Sequence, residues 1–277
     1  MNSIYQSRNK NNENRNNRNN GNQDFPMVSV ITIVLNDEKS IEKTILSIIS
    51  QSYFNYEYII IDGGSEDSTI DIIRYYEKHI DFWLSEPDEG IYSAMNKGIL
   101  RASGKYSIFI NSGDVLSHKN ILRKIFQKLD SSTDIFYGNT IVDFGSFTRC
   151  IIPKKLTRKD AMPFCHQSAL VRTALLKEKR FDVHFKICAD RDFFTKCYYE
   201  EKSFCYIDTT IAKIAAMGYS SINSVLHIKE KNTIALRYRA ITILESYINI
   251  LIITIRFYII KIIPSKLRLF YHKSHVL

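Results

Sequence analysis

Val28–Leu35 (VSVITIVL) is an almost unbroken β-branched run, and no other stretch narrows the fold as much. A strand with no polar face must be covered on both sides, which is the situation of a parallel sheet clad in helices. Ser40 then opens a predicted helix to about Ser50, with Ile41, Ile45, Ile48 and Ile49 on one face. The alternation continues with a strand at Tyr58–Ile61, a helix at Ser68–Lys78, a short strand at Phe82–Leu84 and a helix at Gly90–Ala102. A strand at Tyr106–Ile110 and a helix at Lys119–Leu129 follow. Short loops between strands and helices imply crossover units, hence an α/β, doubly wound, mostly parallel sheet with helices on both faces. Ligands of such sheets bind beyond the carboxyl ends of the strands. Polar residues stand at those positions: Asn36 and Glu38 after the first strand, Asp62 after the second, Asp88 after the third and Asp114 after the fourth. Past residue 140 the pattern thins. Ile135–Tyr137, Thr140–Phe144 and Phe204–Ile207 read as strands of a more irregular second half.

The charge is uneven. Of the net +9, residues 1–24 hold four basic and two acidic groups, and residues 226–277 hold nine and two. The body between them balances, so it lacks the basic face that a nucleic-acid-binding core requires. The Asn-rich leader has too few apolar groups to offset its ordering entropy and is expected to be disordered. Three regions result: a disordered tail at 1–25, a catalytic-type domain at 26–225 and a basic, apolar helical segment at 226–277. Ile241–Ile263 is nearly continuous in Ile, Leu, Tyr and Phe, broken by Glu245, Asn249, Arg256 and Lys261 and closed by Pro264. It has the roughly 20 residues that span a bilayer. A mid-span Arg, however, costs about 2.5–3.5 kcal/mol on insertion scales. An amphipathic helix lying on an anionic membrane leaves Arg256 and Lys261 among head groups and is preferred over a span or packing on the body. The five cysteines (Cys150, Cys165, Cys188, Cys197 and Cys205) contain no CxxC pair, and the N-terminus lacks a signal-peptide stretch. Neither a disulfide framework nor a zinc site is expected, and the chain reads as cytoplasmic.

Neither GxGxxG nor GxxxxGK[ST] follows the first strand. Asp62-Gly63-Gly64-Ser65 carries an acid where a phosphate loop carries amides and Lys, which suits a base or ribose rather than a phosphate. Four acids crowded at strand ends are either helix caps or a set that a cation or donor groups must offset. VSVITIVLN, YEYIIIDGGSEDST, SEPDEGIYSAMNKGILRASGKYSIFINSGD, FCHQSALV and FKICADRDFF occur in this order. Together they closely resemble the inverting family-2 glycosyltransferases, in the branch that assembles bacterial cell-surface polysaccharides. The likeness covers about residues 27 to 215.

That resemblance implies a GT-A-like fold and a nucleotide-diphosphate sugar donor, a UDP-sugar foremost. It places Thr32, Asn36 and Glu38 around the nucleotide, Asp62 at the base, and Asp88, Asn96 and Lys97 near the donor. Asn111-Ser112-Gly113-Asp114 takes the place of the metal-binding acidic motif, with Asn111 on the donor side and Asp114 as the one carboxylate left to hold Mg²⁺ or Mn²⁺. His166 and Gln167 match the motif facing the acceptor or diphosphate, and Asp190 matches the catalytic base. The departures are Asn111 and Gly113 in the metal motif, Gly63 for a base-side acid, and Ala189 beside the base. Asp192 is the rival base. In a helix it points about 200° away from Asp190, and a structural salt bridge is the plainer role for it. Trp83 and Tyr92 are available to stack on sugars but read as core. The implied acceptor is a hydroxyl of a lipid-linked glycan at the inner face of the membrane. A non-catalytic scaffold or glycan-binding member of an assembly complex is the alternative. A sugar-nucleotide-forming enzyme would need a Gly- and Arg-rich loop where Leu35-Asn36-Asp37-Glu38 stands.

Overall fold

The computed structural model describes residues 5–8, 28–128, 132–216, 224–248 and 251–252. Chain order through the first half is β1 (Tyr5–Arg8), β2 (Val28–Val34), α1 (Ile41–Ile49), β3 (Tyr56–Asp62), α2 (Thr69–Tyr75), β4 (Phe82–Ser85), α3 (Ile91–Arg101) and β5 (Tyr106–Phe109). The second half adds β6 (Val115–Leu116), α4 (Ile121–Phe126), β7 (Ile135–Asp143), β8 (Thr148–Ile151), β9 (Ala169–Arg172), α5 (Thr173–Lys179), α6 (Ala189–Tyr199), β10 (Phe204–Ala215) and α7 (Ser224–Arg237).

Strands run β1-β4-β3-β2-β5-β9-β7-β10-β6 across one sheet, with β8 paired to the later part of β7, beyond the stretch that β9 takes. The block β4-β3-β2-β5 is parallel throughout, and its order reverses between β2 and β5. That reversal is the switch point at which doubly wound sheets open a crevice. The expected mixed α/β architecture is therefore present. Every residue of β2 is buried, and its alternate side chains serve two cores. Ile31 and Ile33 join Ile59, Ile61, Met95 and Ile99 on the α3 face. Val28, Val30 and Val34 join Ile41, Ile45, Ile48 and Ile73 on the α1 and α2 face. This double burial is what the β-branched run requires.

Three features differ from the sequence reading. Tyr5–Arg8, inside the leader expected to be disordered, pairs antiparallel with β4; the rest of that leader lies outside the described residues. Ile135–Asp143 is one strand rather than two, and β10 runs on to Ala215 through two register shifts, between Ile207 and Thr210 and between Thr210 and Ala212. Gly138 faces this irregularity: a Cβ there would lie 2.6 Å from the Thr209 carbonyl, so the bulged strand can approach only a glycine. Finally, β9 is antiparallel to both β5 and β7, so its entrance lies at the edge where its neighbours exit.

The C-terminal segment is helical where described. α7 packs on α6, and a further helical stretch at 243–248 follows it. No helix among the described residues is long and apolar enough to cross a membrane. Arg256, Lys261 and Pro264 lie outside the described residues.

Candidate active site

The central turn follows β5. Ile110 N and Ser112 N still donate to the carbonyls of Ile31 and Ile33, so the chain leaves the sheet only at Gly113, whose φ is +91°. Three contacts lock the turn. Thr44 Oγ1 in α1 donates to the Asp114 carbonyl at 2.8 Å, Gly113 N donates to Thr44 Oγ1 at 3.0 Å, and Ser112 Oγ donates to Asp37 Oδ2 at 2.6 Å. Asp114 is thereby held 8% exposed at the switch point. Burial pushes its carboxyl up to about 6, against the Gln167 hydrogen bond and the nearby His166, Ala215 amide and Lys43.

The antiparallel β9 delivers the opposite wall. A 3₁₀ turn at His166–Ser168 enters it, and consecutive side chains of this turn diverge. Gln167 Nε2 donates to Asp114 Oδ2 at 2.9 Å, and His166 Nδ1 lies 3.0 Å from Asp190 Oδ2. His166 Nε2 also meets Asn111 Nδ2 at 3.3 Å. The Asn111 amide donates there, so His166 accepts on Nε2 and donates from Nδ1 to Asp190. Asp190 stands in the first turn of α6, where its Oδ1 takes the Arg191 amide at 2.8 Å and the Tyr92 hydroxyl at 3.0 Å. Burial raises its carboxyl, but the hydrogen bond and charge of His166, the Arg191 amide and Tyr92 outweigh that and hold it below the usual carboxylate value. Asp114, Gln167, His166, Asn111 and Asp190 thus form one continuous constellation. Asp192 faces away and pairs with Arg237 at 2.9 Å, the ion pair expected of it.

The remaining candidates divide into two groups. Asn36, in the left-handed region at φ +50°, accepts from Glu66 N through Oδ1, and its own N–H donates to Ser65 Oγ. Glu38 accepts from Ser68 N, so both residues tie the loop after β2 to the loop after β3 at the exposed rim. Asp88 and Glu86 share the Lys97 ammonium, which pins the loop after β4 to α3. Burial raises the Asp88 carboxyl and Lys97 offsets it only in part; its Oδ2 is buried with no hydrogen-bond partner. A Cβ on Gly63 would lie 3.3 Å from that oxygen and 3.5 Å from Leu35 Cδ1, so the turn packs closely against the carboxylate and Leu35 at this glycine.

Thr32, Asp62 and Asn96 point inward instead. Thr32 is fully buried and donates to the Ile110 carbonyl at 2.7 Å. Asp62 is also fully buried, its oxygens taken by the amides of Gly64 and Ser65 and the hydroxyls of Ser65 and Ser85. Both side chains are thus engaged within the protein, and Asp62 shapes the turn that carries Gly63. Asn96 clamps the Phe181 backbone with two 2.9 Å bonds.

A divalent cation fits the donor set next to Asp114. Asn111 Oδ1 is buried without a hydrogen-bond partner, and one amide oxygen with one carboxylate is the hard, all-oxygen chemistry of Mg²⁺ or Mn²⁺. No group of three or more His, Cys, Asp or Glu that could hold a metal occurs among the described residues, so most of the ligation would come from diphosphate and water. Two groups were not legible as site residues in the sequence, Tyr92 and Asp37. Tyr92 read as core, and it is 6% exposed; only its hydroxyl emerges beside Asp190.

An uncharacterized glycosyltransferase of Mycobacterium tuberculosis is 34% identical over 179 residues, covering 61% of this chain and 67% of that protein. A PGL/p-HBAD biosynthesis glycosyltransferase of Mycobacterium bovis is 27% identical over 182 residues, covering 62% and 70%. Among solved structures, S. aureus TarS 1-349 in complex with UDP-GlcNAc aligns with TM-score 0.61 at 19% identity, over 76% of this chain and 71% of that one. A mannosyltransferase from Pyrobaculum calidifontis in complex with GDP-Man and Mn²⁺ aligns with TM-score 0.62 at 17% identity, over 77% and 65%. The chain spans 39% of a longer TarS structure. At these identities the structural likeness establishes a shared GT-A-like fold. Residues 29–195 match the family model Glycosyl transferase family 2. That match runs from the first buried strand into the helix bearing Asp190, and the chain accordingly belongs to glycosyl transferase family 2.

Proposed function

We propose that the chain is an inverting glycosyltransferase that moves a sugar from a nucleoside-diphosphate sugar, a UDP-sugar foremost, to a hydroxyl of a lipid-linked glycan in surface-polysaccharide assembly. One observation carries this reading: Asp114 and Asp190, which come from different halves of the sheet, meet through the consecutive residues Gln167 and His166. A pair of carboxylates so arranged has one on the leaving-group side and one on the acceptor side. The relatives crystallised with UDP-GlcNAc and GDP-Man support a nucleotide-sugar donor.

In this mechanism the acceptor oxygen bonds to the anomeric carbon as the bond from that carbon to the diphosphate oxygen breaks, and the electron pair leaves with the nucleoside diphosphate. The acceptor proton passes to Asp190, whose depressed pKa keeps it ionised at neutral pH and whose carboxylate His166 and Tyr92 orient. General-base assistance of this kind contributes typically 10²–10⁴-fold. Asn111 Oδ1 and Asp114 would hold a divalent cation, which when bound stabilises the charge growing on the diphosphate. Gln167 fixes the Asp114 carboxylate, and His166 adds a polar wall between the two sides.

The exposed apolar side chains of Ile243, Leu244, Tyr247, Ile248, Leu251 and Ile252, within a segment of nine basic and two acidic residues, support peripheral attachment to an anionic membrane at the cytoplasmic face. The deciding experiment incubates wild type and Asp190→Asn with a panel of nucleotide sugars, Mn²⁺ and a short-chain lipid-linked acceptor. Nucleoside diphosphate release and product configuration are followed. Wild type should transfer with inversion, and Asp190→Asn should bind donor but fail to transfer. If wild type neither transfers nor hydrolyses any donor, the non-catalytic scaffold reading replaces this one.

A further inference from the structure

The segment bearing Asp190 is held by a residue that lies outside the sheet and outside the stretch matched to the family. Residues 186–188 enter α6 with three consecutive backbone N–H groups, and the residue flanking the helix, Cys188, offers no side-chain cap. Such amides need acceptors. All three find the same side chain, Glu230 of α7. Lys186 N donates to Oε1 at 2.7 Å, and Ile187 N and Cys188 N donate to Oε2 at 2.9 Å each. Glu230 is 8% exposed, and its carboxylate is an acceptor matched to a fixed peptide geometry. The same peptide is gripped from its other side, because the Ile187 carbonyl accepts the Tyr92 hydroxyl at 2.6 Å. That hydroxyl also faces Asp190 Oδ1. The path from Glu230 to Asp190 is therefore one peptide unit and one shared hydroxyl.

Two further contacts make α7 a fixed platform. Arg237 reaches Asp192 and Asp182 and lies over the Phe185 ring, and Ile234 is buried in the core shared with α3 and α6.

We propose that Glu230 is a positioning residue for the transfer reaction: it sets the peptide before α6 so that Tyr92 and His166 meet Asp190 together. This rests on the reading of Asp190 as the base. Glu230 touches no substrate. It acts on the rate by fixing where the Asp190 carboxylate points, and a misplacement near 1 Å costs on the order of 10²-fold.

The test uses the full chain and a donor and acceptor pair that wild type turns over. Glu230→Gln replaces one acceptor oxygen with a donor facing the N–H of Lys186 or those of Ile187 and Cys188. It should lower kcat by about tenfold to 10²-fold and leave the donor KM within about twofold, because donor contacts lie at the opposite wall. Combined with Asp190→Asn it should add nothing, the double variant being no slower than Asp190→Asn alone. If Glu230→Gln does not yield folded protein, as read by nucleotide binding and melting, Glu230→Asp keeps the charge with a shorter reach and takes its place. The proposal is overturned if kcat is unchanged, or if the two substitutions multiply independently. An Asp190→Asn variant that still transfers at the wild-type rate refutes the base assignment instead, which separates the two failures.

Discussion

Asp114 is a carboxylate kept ionised at neutral pH in a place that resists it, and replacing it by Asn should make the metal-free protein more stable while abolishing transfer. Its carboxyl is raised from 3.8 to about 6 by burial, which corresponds to about 3 kcal/mol against the folded state at pH 7.5. The sign follows from the direction of the shift. A folded pKa above the unfolded one means that the folded state binds the proton more tightly, so the penalty is complete above pH 6 and shrinks as pH falls toward 3.8. About half should remain at pH 5. The Asn oxygen can still accept from Gln167, but its amide nitrogen is a donor where the carboxylate had a second acceptor for the Ala215 amide, which takes back part of the gain. A net stabilisation of about 1–2 kcal/mol, roughly 3–6 °C in melting temperature, is expected. Melting curves of wild type and Asp114→Asn in EDTA at pH 7.5 and pH 5 measure it. A variant that melts at or below wild type at pH 7.5, or a difference that fails to narrow at pH 5, would refute the argument that this carboxylate is held against its own solvation.

Three other outcomes are expected. His166→Ala removes the largest group opposing the burial of Asp190, so the Asp190 pKa rises and the acidic limb of the kcat–pH profile moves to higher pH; a limb that stays in place removes His166 from the base. Gly138→Ala drives a methyl group into the Thr209 carbonyl and should cost roughly 1–3 kcal/mol, seen as a melting temperature lower by several degrees, whereas an unchanged melt would mean the β10 bulge relaxes freely. Sedimentation with anionic vesicles at physiological salt should carry the protein down, and about 0.5 M salt should release much of it. Protein that stays in the supernatant at physiological salt argues against membrane attachment.

What was legible in the sequence follows from how local each feature is. The β4-β3-β2-β5 block was readable because its strands are continuous β-branched or aromatic runs, each marked off by a short polar loop. The second half was not. β9 is four residues long, β6 two, and their identity as strands depends on partners distant in the sequence. The 12-residue β10 is disguised by its bulges. The site shows the same division. Asp114, His166, Gln167 and Asp190 were named from motif resemblance and do come together, but the phase of α6 was needed to set Asp190 apart from Asp192. The internal bonds of Asp62 were not legible, because two of its partners are backbone amides and another is Ser85 on a different strand. Glu230 was invisible, since its partners are main-chain N–H groups some forty residues upstream and leave no trace in side-chain pattern.

The reversed strand β9 has a consequence for how such an enzyme diversifies. Because it enters where β5 exits, the turn after one strand faces the turn before the other, and Asn111 to His166 and Asp114 to Gln167 join them at the switch point. If the proposed function holds, loops on the β9 side of that junction are the ones to exchange in the laboratory when a new acceptor is sought, with those two bonds kept.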